Sequence, residues 1–276
     1  MNAAKTLAGW GFALVVTATT AFAAPKPAEV DALFEALGME AMFEVLREEG
    51  LSYGDDLADQ MLPGGTGPSW QAVVARLHDP ESLEELVRAG FDESIGDVEL
   101  APLIAFFGSE TGQRIIEMEL AARRAFMDED TEEAARDLFR ETQEPYDAHL
   151  TAIQRFIEVN ELIDMNVVGA LNANYMFMRG LMQGGAVEMS EEEVLSDVWG
   201  QEGTTRMDTH EWVYSFLMLA YEPLSTEEVQ AYVTLSETPE GAALNRALFA
   251  GFDRMYGTIS LSLGLALARQ MQGESL

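Results

Sequence analysis

The residues able to do chemistry in this chain are scattered. Its three histidines, His78, His149 and His210, lie far apart, and no HExxH spacing sets two of them on one helical face as a catalytic zinc site requires. Asp147 with His149 and Asp208 with His210 form D-x-H pairs, which arise by chance in a chain holding 48 acidic residues. Asp92 through Glu99 has the look of a calcium loop. An EF-hand, however, needs glycine sixth and glutamate twelfth, whereas here Gly96 is fifth and Leu103 is twelfth. Carboxylates such as Glu117 and Glu119 stand two apart and would not share a helical face. There is no GxSxG nucleophile elbow, and Gly64-Gly65-Thr66-Gly67 lacks the lysine of a phosphate loop. With no cysteine, disulfides and thiolate metal sites are excluded. The residues therefore assign no catalytic group, cofactor or metal site. Asn160, Asn166, Asn172 and Asn174 interrupt an apolar stretch, where buried amides either bond helix to helix or line a polar pocket. The fifteen methionines suit core filling or an adaptable groove.

The elements that must carry these residues are helical. Val30, Leu33, Phe34, Leu37, Ala41, Met42 and Val45 recur at spacings of three and four, which builds one apolar face. Gly50 and then Pro63 to Pro68 break the chain. Helices are expected around Ser69–Leu77, Pro80–Ala89, the apolar run Leu100–Phe107 and Gly112–Met127, with Glu84 and Arg88 as a surface pair. From Asp128 to Tyr146, Glu132, Arg136, Arg140 and Glu144 step by four along one face, the pattern of a solvated helix laced with ion pairs. This segment is expected to connect two halves and to end at Pro145. One long helix should then run from Ile153 past Met178 to Gly184-Gly185. Ser190 with Glu193 and Ser225 with Glu228 are capping-box starts, and Trp212 to Tyr221 is apolar nearly all round and so central. Period-two runs of β-branched residues and hairpin turns are missing, so the expected fold is all-α, a multi-helix bundle.

Part of this pattern occurs twice. The stretch Leu100 to Ile115 aligns with Val229 to Leu244 at an offset of 129, pairing Ser109 with Thr238, Gly112 with Gly241 and Ile115 with Leu244. Each is a helix–turn–helix corner in which a hydroxyl residue caps the second helix; Pro239 suits its first position, and the glycine permits close backbone approach. Leu33, Glu35, Met39 and Met42 align with Phe156, Glu158, Leu162 and Met165 at an offset of 123. The reading is two related helical units, 24–127 and 151–276, joined through 128–150.

Phe106-Phe107-Gly108-Ser109-Glu110-Thr111-Gly112-Gln113 resembles the signature of the domain-of-unknown-function 2059 family, bacterial exported helical proteins in which an aromatic pair precedes Ser/Thr-Pro-x-Gly-Gln. Thr238-Pro239-Glu240-Gly241 resembles it again, so the likeness would extend from residue 28 to about 270 as two copies. Glu110 replaces the usual proline in the first copy, and Leu235-Ser236 replaces the aromatic pair in the second. The resemblance implies export and a helical fold, with Phe106, Phe107, Ser109, Gly112, Thr238, Pro239 and Gly241 as structural motif residues. It supplies no activity.

The N-terminus sets an address. Lys5, the apolar run Leu7–Phe22 and the small-x-small Ala21-Phe22-Ala23 read as a signal peptide over 1–23, cut before Ala24. The alternative is an uncleaved anchor, which Thr17, Thr19 and Thr20 disfavour. No later run spans a bilayer, so the mature chain is expected in the periplasm without membrane insertion. Formal net charge is −32. That disfavours nucleic acid and anionic headgroups, which are bound through clustered Lys/Arg, and it leaves cations allowed. The functional expectation is non-enzymatic binding of a protein or a small apolar ligand in the cell envelope. The alternatives are an envelope hydrolase using carboxylates, or divalent-cation binding by the acidic surface.

Overall fold

A computed structural model describes residues 27–62, 65, 67–142 and 145–273. The expected signal peptide, 1–23, and Glu144 lie outside the described residues, as do 63, 64 and 66. Within the described residues the chain is helical without strands. Its elements are α1 (Pro27–Ala36), α2 (Met39–Met61), α3 (Pro68–Leu77), α4 (Pro80–Ser94), α5 (Ala101–Phe107), α6 (Glu110–Ala125) and α7 (Glu129–Glu141). There follow α8 (Ala148–Val159), α9 (Leu162–Gln183), α10 (Glu191–Gly200), α11 (Glu202–Tyr221), α12 (Thr226–Ser236) and α13 (Pro239–Met271).

Local chemistry starts most of these helices. Asp79, Ser109, Asp128, Asp147 and Thr238 each accept a backbone N–H three residues on. Ser190–Glu193 and Ser225–Glu228 form full capping boxes, satisfying donors that a helix start leaves unpaired. The long helix expected from Ile153 to Met178 is broken instead. Glu161 takes φ 51°, and α8 meets α9 at a left-handed residue. Gly38 takes φ 64° between α1 and α2, 123 residues earlier. Glycine accepts that conformation freely; glutamate adopts it because tertiary contacts hold its neighbours.

The helices close around one long element. α13 packs most extensively on α9 and α4. At its crossing with α9, a Cβ on Gly180 would lie 2.3 Å from the Leu261 carbonyl oxygen, and one on Gly264 would lie 2.2 Å from that of Phe177. Backbone touches backbone there, which only glycine permits. The largest core joins α1–α5 to α13 through Phe34, Phe43, Trp70, Phe91, Met255 and Leu267. A second core joins Ile115 and Ala122 of α6 to α8, α11 and α12. The two cores thus exchange helices, and a boundary at 127/128 does not separate them. α7 buries no residue, yet it is no free-standing stripe. Arg136 and Arg140 reach Glu211 of α11 at 3.0 and 2.8 Å, so its charged face is a seam between helices. Thr142 is the C-cap of α7 and Asp147 the N-cap of α8, so segment 128–150 holds one helix and the start of another.

Candidate functional site

The motif residues build two corners of the same geometry. Gly112 N–H donates to Ser109 Oγ at 3.1 Å while Ser109 O–H donates to the Phe106 carbonyl at 2.6 Å. Gly241 N–H donates to Thr238 Oγ1 at 3.0 Å while Thr238 O–H donates to the Leu235 carbonyl at 2.7 Å. A Cβ on Gly112 would stand 2.1 Å from Phe106 O, and one on Gly241 would stand 2.0 Å from Leu235 O. Each glycine lets the new helix lie against the last turn of the old one. Gln113 adds a clamp in the first corner, its Nε2 donating to the Ala36 and Phe107 carbonyls at 2.8 and 2.6 Å. Pro239 is exposed at the first position of α13.

Tyr232 ties the corners together. Its ring lies 5.8 Å from Phe106, 5.7 Å from Phe107 and 4.4 Å from Phe156, centroid to centroid. Beyond it opens a cavity of about 260 Å³ between α6, α8, α9, α11, α12 and α13, with Phe156, Trp212, Phe216 and Tyr232 as its aromatic walls. Into this space α6 sends Glu119, whose Oε1 accepts the Tyr221 hydroxyl at 2.6 Å. Burial raises the Glu119 carboxyl to about 7, with the Tyr221 bond opposing. Burial and the neighbouring carboxylate push the Tyr221 and Tyr232 hydroxyls well up. Arg123, one turn on, faces Glu49 instead, in two bonds of 2.7 and 2.9 Å.

Three amides line the same cavity. Asn160 is buried and donates to the Phe156 carbonyl and to Ser236 Oγ, at 2.9 and 3.1 Å. Asn166 donates to the Leu162 carbonyl at 2.8 Å, and Asn245 donates to the Asn160 carbonyl at 2.9 Å. Asn172 and Asn174, which the sequence groups with them, face Asp253 and Gln201 on the outside. Asn245 escaped the sequence reading, and Glu119 entered it only as one of a carboxylate pair with no shared face. Glu119 carried a signal, for it falls between Ile115 and Ala122 at the helical spacing of α6's buried face.

Two larger hollows adjoin. One of about 570 Å³ between α9 and α13 shares Arg123, Asn166 and Trp212 with the Glu119 cavity. The next, about 310 Å³, runs on through Ala173 and Tyr256 to Leu46, Met255 and Leu263. Both are mainly apolar.

The histidines have structural partners. His78 is buried against Gly50 with Nδ1 2.9 Å from the Val74 carbonyl, and burial holds its pKa below the usual range. His149 Nε2 donates to the Tyr221 carbonyl, and His210 lies between Phe139 and Tyr214. Asp147 caps α8, while Asp208 pairs with Arg136. Among the described residues no cluster of three His, Cys, Asp or Glu side chains could hold a metal ion. No described helix is long and apolar enough to cross a membrane.

Residues 81–141, from α4 through α7, match the family described as "uncharacterized protein conserved in bacteria (DUF2059)". The match takes in the first corner once; the second corner lies outside it. No curated protein and no solved structure matches the chain.

Proposed function

We propose that this chain is an exported, non-enzymatic binding protein of the bacterial envelope that holds a small apolar molecule between α9 and α13. The observation that carries the reading is the pair of apolar hollows that meet at Ala173 and Tyr256. Together they offer a concave, mostly hydrocarbon space of the kind in which small ligands are held, with few polar groups to orient them. Met42 and Met165 at the wall add adaptable side chains. A hydrolase using two carboxylates is less well supported, because such chemistry sets a second acid within about 5–10 Å of the first. In the lining of the Glu119 cavity Glu119 is the sole carboxylate.

Export rests on the leader at 1–23, and release should leave a mature chain that begins at Ala24. Two related six-helix units form part of the same reading. In favour stand the left-handed junctions at Gly38 and Glu161 and the two capped corners, at the offsets of 123 and 129 residues.

Fluorescence of N-phenyl-1-naphthylamine tests the binding reading. The chain should enhance its emission saturably, and Ala173→Trp, at a half-buried position facing both hollows, should weaken binding tenfold or more. No enhancement, or equal enhancement by the tryptophan variant, would remove the basis for a ligand there. N-terminal sequencing of the periplasmic fraction decides the address: a chain beginning at Met1 refutes cleavage.

A further inference from the structure

The Glu119 cavity differs in chemistry from the apolar hollows beside it. We propose that it is a binding site for a small organic ammonium group, with Glu119 as counter-ion. The inference does not rest on the apolar reading: the two spaces share Arg123, Asn166 and Trp212, but the group it turns on, Glu119, lines the smaller one and not the apolar hollows, and the ligand class differs.

Hydrogen-bond supply and demand carry it. Asn160, Asn166 and Asn245 each direct their NH₂ to a backbone carbonyl, a group that only accepts. Their orientations are therefore fixed by chemistry, and the amide oxygens receive no donor among the described residues. None of them is a sealed, unsatisfied atom, so each keeps access to open space. Glu119 takes a single bond, from Tyr221, and leaves its second oxygen free. The side chains that line the cavity thus carry acceptors in excess. Its charged donor, Arg123, is engaged by Glu49 and by the Tyr256 hydroxyl at 3.2 Å.

A ligand that completes this inventory must bring donors and positive charge, and an ammonium group brings both. The walls add to the match: Phe156, Trp212, Phe216 and Tyr232 supply aromatic rings, the side chains that attract a cation electrostatically. A volume of about 260 Å³ suits a short alkyl- or arylalkylamine. The surrounding chain, at net −32, raises the local concentration of any cation. An inorganic divalent ion fits less well, since it takes six or more oxygens with several carboxylates among them.

The titratable side chains in the lining are Glu119 and Arg123 from α6 and Tyr232 from α12, with Tyr221 of α11 bonded behind Glu119. Of these, Glu119 alone changes charge near neutrality. Amine binding should therefore strengthen as the pH rises from 5.5 to 8.

Calorimetry on the full chain tests this with 2-phenylethylamine against the neutral, similarly shaped 2-phenylethanol. At pH 8 the amine should bind at least tenfold more tightly, and the margin should shrink at pH 5.5. Glu119→Gln, which keeps the acceptor for Tyr221, should abolish the margin while leaving N-phenyl-1-naphthylamine binding unchanged. Equal affinity for amine and alcohol overturns the proposal, as does a preference that survives in the variant, which would mark attraction to the acidic surface. Absence of amine binding overturns it too. Calcium heat lost in E119Q would give the site to an inorganic ion instead. Should the variant fail to fold, the amine–alcohol margin and its pH dependence in the unaltered chain still decide.

Discussion

The two corners share a backbone and differ in what fills it. In the first, Leu37, Phe107 and Ile116 are buried hydrocarbon, and Ile116 lies against the left-handed Gly38. In the second, the residues at the same offsets are Asn160, Ser236 and Asn245, beside the left-handed Glu161. The first corner is closed by Phe107, which is fully buried and stacked edge-on to Phe106 and Tyr232. The second holds together through Asn160 to Ser236 and Asn245 to the Asn160 carbonyl, and all three residues line the Glu119 cavity. One geometry can serve as a packed joint or as the wall of a site, according to whether hydrocarbon or hydrogen-bonding side chains stand at three positions.

That contrast is most open to attack at the glycines. Gly112→Ala drives a Cβ into backbone that packed rings hold in place, and should cost about 3 kcal/mol. Gly241→Ala meets the same clash, but Gly241 borders the cavity, where the Leu235 turn has room to shift; its cost should be about 2 kcal/mol. Urea denaturation of both variants reads the difference. A cost for Gly241→Ala equal to or above that of Gly112→Ala would mean that the second corner is as tightly packed as the first.

Glu119 gives an effect of similar size that depends on pH. Its folded pKa, about 7, lies above the 4.5 of an ordinary glutamate, so the folded state binds more protons between those values and stability falls as pH rises through them. The loss amounts to at most roughly 3 kcal/mol. Glu119→Gln removes it: the variant should match the unaltered chain at pH 5 and melt at a higher temperature at pH 8. Parallel melting curves at both pH values would show that Glu119 is well solvated.

The smallest expected effect concerns what the corners have in common. Ser109→Ala and Thr238→Ala each remove a cap and should cost about 1 kcal/mol, alike within a few tenths. A return of stability with Asp at either position would assign the loss to the cap. Unequal costs in chemical denaturation would show that the two corners differ in backbone as well as in filling.

Much of this architecture was legible beforehand because it is local. Ser190–Glu193 and Ser225–Glu228 announce helix starts within four residues, and the hydroxyl-x-x-glycine spacing announces both corners. The break at Asn160–Glu161 was not legible. No glycine or proline marks it, and the residue before the left-handed glutamate, Asn160, is held by the bond it donates to Ser236 and by the one its carbonyl accepts from Asn245, both partners more than seventy residues away. The stripe on α7 was visible as charge, but its docking on Glu211 depends on where α11 passes. Asn245 lies within α13, where nothing local sets it apart from a surface amide.

By itself, then, the sequence determined the helical class, the caps, the acidity and the recurrence of the corner, since periodicity, capping and charge are properties of neighbouring residues. Only the tertiary structure decided that the two cores exchange helices, and that Glu119 meets Tyr221 across 102 positions of chain. It also decided which of the two corners stays open. Those outcomes depend on how distant faces pack, and burial, which turns an ordinary glutamate into one poised near neutrality, exists only once they have packed.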